Sequence, residues 1–301
     1  MSRRHRRNSP SKATSLLLIG MAAVVFAEVA MADLAATSAP RPTLSRRIRT
    51  RPFANKNVWM KDSEGSAYVP RNRSIWLSDD NARAVYEVNA ITGGLKRMIG
   101  RAQFENARRA GGGPRAGADR TRDFESMAYD RTHDALYVFS GPCCAPSVLP
   151  TVFRLKRNAG GVFHVASYRI LPRNADFNGA AWNPASGKIV VAHDEDFRTY
   201  DFTKNRLGGI FHVRNLVGVS GMGFSPDGAS LFVTTDEERL RRVKWRTKRL
   251  FQGWNVDLMR FGIRDSRAVE LINGRLYVSD GADSRANTDP FKYAVYVIRL
   301  N

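Results

Sequence analysis

Glu64, Glu125, Asn178, Ser220 and Arg267 share one position: each stands four residues before an anchoring side chain, respectively Tyr68, Tyr129, Trp182, Phe224 and Leu271. Successive members are separated by 61, 53, 42 and 47 residues. If these positions converge on one axis, two carboxylates and an amide oxygen meet there. Such oxygens suit a hard cation, Ca2+ or else Mg2+ or Mn2+. Two carboxylates at close range also need a cation or a shared proton. The expected metal ligands are therefore Glu64, Glu125 and Asn178, with Ser220 and Arg267 on the side that meets a bound ligand. An arginine there grips a carboxylate or phosphate through two parallel hydrogen bonds. The chain has 5 His, none at metal-ligand spacing to another, and no GxSxG nucleophile elbow.

The elements that would position these residues repeat along the chain. Each copy has a small-residue pair, an aromatic, a turn, an alternating apolar run and then Asp or Ser. The copies are SEGSAYVPRNRSIWLSDD (63–80), FESMAYDRTHDALYVFSG (124–141), FNGAAWNPASGKIVVAHDE (177–195), VSGMGFSPDGASLFVTTDE (219–237) and SRAVELINGRLYVSDG (266–281). Further alternating runs follow, such as AVYEVN (84–89), TVFRLK (151–156) and AVYVIRL (294–300). Period-2 alternation marks strands, and Pro226-Asp227-Gly228 and Asn273-Gly274 mark the turns between them. Four strands recurring at about 40–45 residues is the pattern of a β-propeller. The reading is an all-β chain of five four-stranded blades. The last copy shows three clear strands, so an N-terminal strand near Asn57–Met60 is expected to close the ring. Six blades result if residues 33–62 hold a degenerate unit.

SEGSAY, NGAAWNP and SGMGFSPDG resemble the blade starts of the gluconolactonase and regucalcin family of calcium-dependent propeller hydrolases. DFESMAYDRTHDALYVFSG is also similar to the esterase-like phytase propellers of secreted bacterial proteins. In the lactonase family a glutamate, an asparagine and a later aspartate hold the metal. The resemblance gives the first two roles to Glu64 and Asn178. Ser220 stands where the aspartate belongs, and that family has six blades.

Composition bounds what such a propeller meets. Of 301 residues, 43% are hydrophobic, which suffices for a core. Arg3, Arg4, Arg6, Arg7 and Lys12 precede the uncharged run Ala13–Ala27 and the small residues Ala30 and Ala32, the three-part form of a signal peptide over residues 1–32. The uncharged run is too short to cross a bilayer, so no span remains after cleavage. Residues 33–56, rich in Ala, Pro, Ser and Arg, read as a linker before a domain over 57–301. The expected location is secreted or envelope-associated. The precursor's net charge is +20, and cleavage leaves +16 by removing five Lys/Arg and one Glu. No Lys/Arg block with interleaved aromatics is present, so the expected partner is an anionic small molecule or cell-wall polymer rather than nucleic acid, met by a monomer. The adjacent Cys143 and Cys144 are expected to form a vicinal disulfide in an oxidising compartment, with free thiols or bonds to other chains as alternatives. Three functions fit: ligand binding at the channel mouth without chemistry, metal-dependent hydrolysis of lactones or phosphoesters, or a protein-interaction scaffold.

Overall fold

Strands apolar on both faces need a neighbour on each side. A computed structural model describes residues 41–50, 60, 62–111, 123–141, 149–172, 174–281 and 291–300. The chain begins with β1 (Thr43–Ile48). The first blade is β2 (Ser66–Val69), β3 (Ser74–Asp79), β4 (Ala84–Asn89) and β5 (Leu95–Ile99). After helix α1 (Arg101–Ala110) comes the second, β6 (Phe124–Asp130), β7 (Ala135–Ser140), β8 (Thr151–Arg157) and β9 (Phe163–Ile170). The third is β10 (Gly179–Asn183), β11 (Lys188–His193), β12 (Asp196–Asp201) and β13 (Arg206–Leu207). The fourth is β14 (Val219–Phe224), β15 (Ser230–Thr235), β16 (Arg239–Lys244) and β17 (Arg249–Asp257). The fifth comprises β18 (Ser266–Ile272), β19 (Arg275–Asp280), β20 (Val295–Arg299) and, at its outer edge, β1.

The described residues thus form five four-stranded antiparallel sheets. The first strands touch in a cycle: β2 beside β6, β6 beside β10, β10 beside β14, β14 beside β18 and β18 beside β2. This is a five-bladed propeller. Its core is divided between the blades. In β7, Leu136 and Val138 pack toward the first blade, while Tyr137 and Phe139 pack toward the third. Alternation thus feeds two cores from one strand, and β3, β7 and β15 are buried at every residue. Each Leu, Val or Phe so buried contributes about 1.5–3 kcal/mol. Among the described residues no helix is long and apolar enough to cross a membrane.

The closing strand lies at Thr43–Ile48, inside the stretch read as a linker and not at Asn57–Met60; residues 51–59 lie outside the described residues. β1 pairs antiparallel with β20, from Thr43 opposite Arg299 to Ile48 opposite Val295. As an edge strand it buries little, and arginine stems replace apolar side chains. Arg46 donates to the Ala90 carbonyl and the Tyr277 hydroxyl, and Arg47 to the Phe261 carbonyl. Ile48 completes the core between the fifth and first blades.

Antiparallel order sends the loops before each first strand, and between second and third strands, to one end of the ring, here the upper end. The other turns lie at the lower end. Asp62, Glu64, Asp80, Asp123, Glu125, Asp176, Asp194, Asp236 and Asp265 belong to the upper end. Arg71, Arg131, Arg157, Lys188, Lys204, Arg246, Lys248 and Arg275 belong to the lower. A strongly basic chain therefore carries an acidic mouth.

Candidate functional site

Four of the five positions selected by repeat spacing sit at a shared irregularity. In β6, β14 and β18 the pairing slips between Phe124 and Ser126, Val219 and Gly221, and Ser266 and Ala268. The extra residues are Glu125, Ser220 and Arg267. In the first blade the Glu64 N–H donates to the Ser78 carbonyl, while the Ser78 N–H donates to the Gly65 carbonyl, so two residues face one. A β-bulge twists its strand and re-aims the extra side chain. Asn178 stands one residue before β10. Gly65, Asn178, Gly221 and Arg267 line a narrow space between the inner strands, bordered by Ser126. Small residues are needed there: a Cβ on Gly221 would lie 2.6 Å from the Ala268 Cα.

The structure then sorts these residues. Glu64 lies 3.4 Å from Arg267, which also lies 2.7 Å from Asp265. The Asn178 Oδ1 is 3.0 Å from His193 Nδ1. The buried Ser220 hydroxyl donates to Thr234 Oγ1 at 3.2 Å, within its own blade. Glu125 joins two acids that spacing did not select, Asp123 and Asp176. One carboxylate oxygen from each of the three lies within 4.8 Å of the others. Asp176 Oδ1 is buried without a hydrogen-bond partner. Gly141 makes room for the group. A Cβ there would lie 2.6 Å from Asp176 Oδ1, 3.0 Å from Asp123 Oδ2 and 3.2 Å from Glu125 Cγ. The Gly141 N–H donates to the Asp123 carbonyl, tying β7's end to this corner.

The acids resist holding their charges together. Burial, then the hydrogen bond to and charge of Asp123, push Glu125 up to about 11. Burial and Asp123 push Asp80 to about 6. Asp176 is raised by burial, with His193 opposing, and Glu64 is raised by burial, with Arg267 opposing. Such crowding is relieved by protons or by a cation.

Asp123 and Asp176 left a signal in the sequence. An aspartate stands two residues before the bulge position in four of the five copies, at Asp62, Asp123, Asp176 and Asp265, with Gly218 in the fourth blade. The fold uses them differently. Asp62 accepts from Asn81 Nδ2, Asp265 holds Arg267, and Asp123 and Asp176 flank Glu125. Two aspartates ending second strands serve loops: Asp79 accepts from the Ala82 N–H, and Asp280 from those of Arg264 and Asp265. Cys143 and Cys144 lie outside the described residues.

At the lower mouth Tyr68, Tyr129, Trp182 and Phe224 surround the half-buried Glu270. Burial pushes Glu270 up to about 8, against the Arg131 charge and a backbone hydrogen bond at Tyr68. A carboxyl raised on folding stabilises the fold at low pH, and that contribution is lost as pH rises through its folded value. The melting temperature should therefore fall between pH 5 and pH 9 more steeply than that of Glu270→Gln. Parallel melting curves for the two proteins would refute this.

No family model and no curated protein matches the chain. Its fold is found among solved structures. Glutaminyl cyclase of Myxococcus xanthus superposes with a TM-score of 0.57 at 10% identity, covering 86% of this chain and 96% of that one. A luciferin-regenerating enzyme superposes with a TM-score of 0.53 at 11% identity, covering 87% and 95% respectively. At such identities the likeness is one of fold.

Proposed function

We propose that the chain is an exported propeller hydrolase that holds a divalent cation on Asp123, Glu125 and Asp176 and cleaves lactones or phosphoesters at its upper mouth. The observation that carries this reading is the buried, unpartnered Asp176 oxygen, aimed with two other carboxylates into the space left by Gly141. The donors are all carboxyl oxygens, which suits Ca2+, Mg2+ or Mn2+ rather than a metal that prefers nitrogen or sulfur. When bound, such an ion polarises a carbonyl or phosphoryl oxygen and acidifies a coordinated water.

The residues around it have separate tasks. Glu125 belongs both to the set chosen by spacing and to the acidic triad. Burial and the adjoining Asp123 keep its proton on, so it is placed to hold a proton and release it once the local charge is balanced. Glu64 and Asn178 border the triad; Glu64 holds Arg267, and His193 orients the Asn178 amide. Arg267, fixed by two carboxylates, presents its remaining donors to an anionic substrate. The two solved structures described above are a glutaminyl cyclase and a luciferin-regenerating enzyme, which keeps chemistry in view for this fold.

The test is metal analysis of the purified protein, followed by turnover of a γ-lactone, an aryl ester and an aryl phosphate with CaCl2, MgCl2 or MnCl2 and with chelator. Hydrolysis of one class, abolished by chelator and restored by a cation, is the expected result. Cation uptake without turnover of any class would move the reading to a binding propeller. No uptake at millimolar cation would remove it.

A further inference from the structure

The ring has a second opening, at its basic end and far from the acidic mouth. A cavity of about 300 Å3 lies between the second and third blades. Its origin is the shortness of β13, only 2 residues, where the other outer strands have 5 to 9. The chain then leaves the sheet, and Phe211 makes an isolated bridge to Phe197. Tyr137, Tyr200 and Phe202, from the core shared by these blades, form the floor of the cavity.

Four cations line that rim: Arg154 and Lys156 from β8, Lys188 from the start of β11 and Arg206 from β13. None of the four forms an ion pair with a described residue. Arg154 is nevertheless fixed. Its guanidinium lies 4.8 Å from the Phe202 ring centroid and donates to Ser167 Oγ at 3.1 Å. The two carboxylates of the lining are already engaged by turns. Asp130 accepts from the Thr132 and His133 N–H groups and meets His133 Nδ1 at 2.6 Å. Asp201 accepts from the Lys204 N–H. Four cations against two carboxylates leave the lining net positive. It also presents the half-buried Trp182 indole, with Gly187 against its edge, and the hydroxyls of Ser186, Thr199 and Thr203.

An anion alone uses the cations and the hydroxyls but leaves the indole face unused. A sugar ring offers a C–H face to an indole and hydroxyls to hydroxyls, and a phosphate or carboxylate on it meets the cations. The volume is at the small end for ligand sites, which fits one ring. We propose that this cavity binds an anionic hexose unit, carrying a phosphate or a carboxylate, either free or as one unit of an anionic polysaccharide. The site shares no residue with the acidic triad, so it stands or falls independently of the hydrolase reading.

Titration calorimetry with glucose 6-phosphate, glucose and alginate oligomers tests it. Saturable binding of glucose 6-phosphate that glucose does not compete is expected, weakening as salt is raised. The exposed pair Lys188→Glu and Arg206→Glu should raise the dissociation constant at least about tenfold, equivalent to about 1.4 kcal/mol, without changing the melting temperature. Alginate oligomers that displace glucose 6-phosphate would identify the polymer unit as the natural form; alginate that fails to do so would identify the free sugar. The proposal is overturned if neither anion saturates the protein up to about 10 mM, if glucose competes equally, or if the folded double variant binds like the parent.

Discussion

A chain beginning at residue 57 will fail to hold the propeller, whereas one beginning at residue 41 will melt together with the full-length protein. The shorter chain lacks β1, and with it the pairing along β20 from Arg299 to Val295. It loses Ile48 from one inter-blade core and the Leu44 contact with another. Arg46 and Arg47 also bind backbone carbonyls outside the fifth blade, at Ala90 and Phe261. Backbone hydrogen bonds are worth about 0.5–1.5 kcal/mol each and buried aliphatic side chains about 1.5–3 kcal/mol. Their sum is of the order of the whole 5–15 kcal/mol that stabilises a domain. The loss also exposes β20, whose residues Val295–Ile298 are all buried, as a bare apolar edge, the geometry that drives edge-to-edge aggregation. Size-exclusion chromatography and circular-dichroism melting of the two truncations check this. A 57–301 chain that stays monomeric and melts within about 5 °C of full length would show that closure does not depend on β1.

That prediction marks where the sequence stopped being legible. The blades were readable because each second strand carries apolar residues on both faces, as in ALYVFS at β7, and only a stack with neighbours on two sides buries both. β1 was hidden because an edge strand needs only one good face. TLSRRI supplies that face with Leu44, Ile48 and arginine stems, which look like linker composition. In the third blade GIFHV (209–213) alternates like a fourth strand, yet the regular strand is Arg206–Leu207 and only Phe211 of that run returns, in an isolated bridge to Phe197, because alternation does not reveal whether a partner edge is within reach.

The site was half legible for a similar reason. Spacing alone led to Glu125, Ser220 and Arg267, but that they are bulge residues is a property of pairing between strands. The recurring aspartate two positions earlier was visible at Asp62, Asp123, Asp176 and Asp265. Its meaning was not, because the repeat treats the copies as equal and the ring does not. Arg267 neutralises the fifth blade's copy, whereas Gly141 at the end of β7 opens room for those of the second and third. Convergence between adjacent blades depends on residues that no single repeat contains.

Asp176→Asn will remove most of the cation-dependent stabilisation and the turnover while raising the melting temperature in chelator. The two signs come from one cause. Without a cation, three crowded carboxylates oppose folding, and the rise in Asp176 itself comes first from burial. An amide keeps the shape and removes a charge, so the chelated protein gains. With a cation the same carboxylate is a ligand, and its loss should weaken affinity by about 100-fold or more, since even groups that only orient a ligand are worth about 10–100-fold. At a cation concentration of about 100 times the parental dissociation constant, binding stabilises the parent by about 2.7 kcal/mol, or about 5–10 °C in a domain of this size. The variant retains about 0.4 kcal/mol of that, a shift of about 1 °C. Asp227→Asn, in a lower-end turn where the carboxylate accepts from Ser225 Oγ and the Ala229 N–H, should leave the cation shift at its parental size. Glu64→Gln sets the extent of the ligand set. Held by Arg267 at 3.4 Å, Glu64 should change the cation shift less than Asp176 does. A loss as large as that of Asp176→Asn would place Glu64 among the ligands. An Asp176→Asn protein that keeps both the parental cation shift and the parental turnover would remove the triad from the site, because an orphaned oxygen that can be neutralised without consequence was not waiting for a charge.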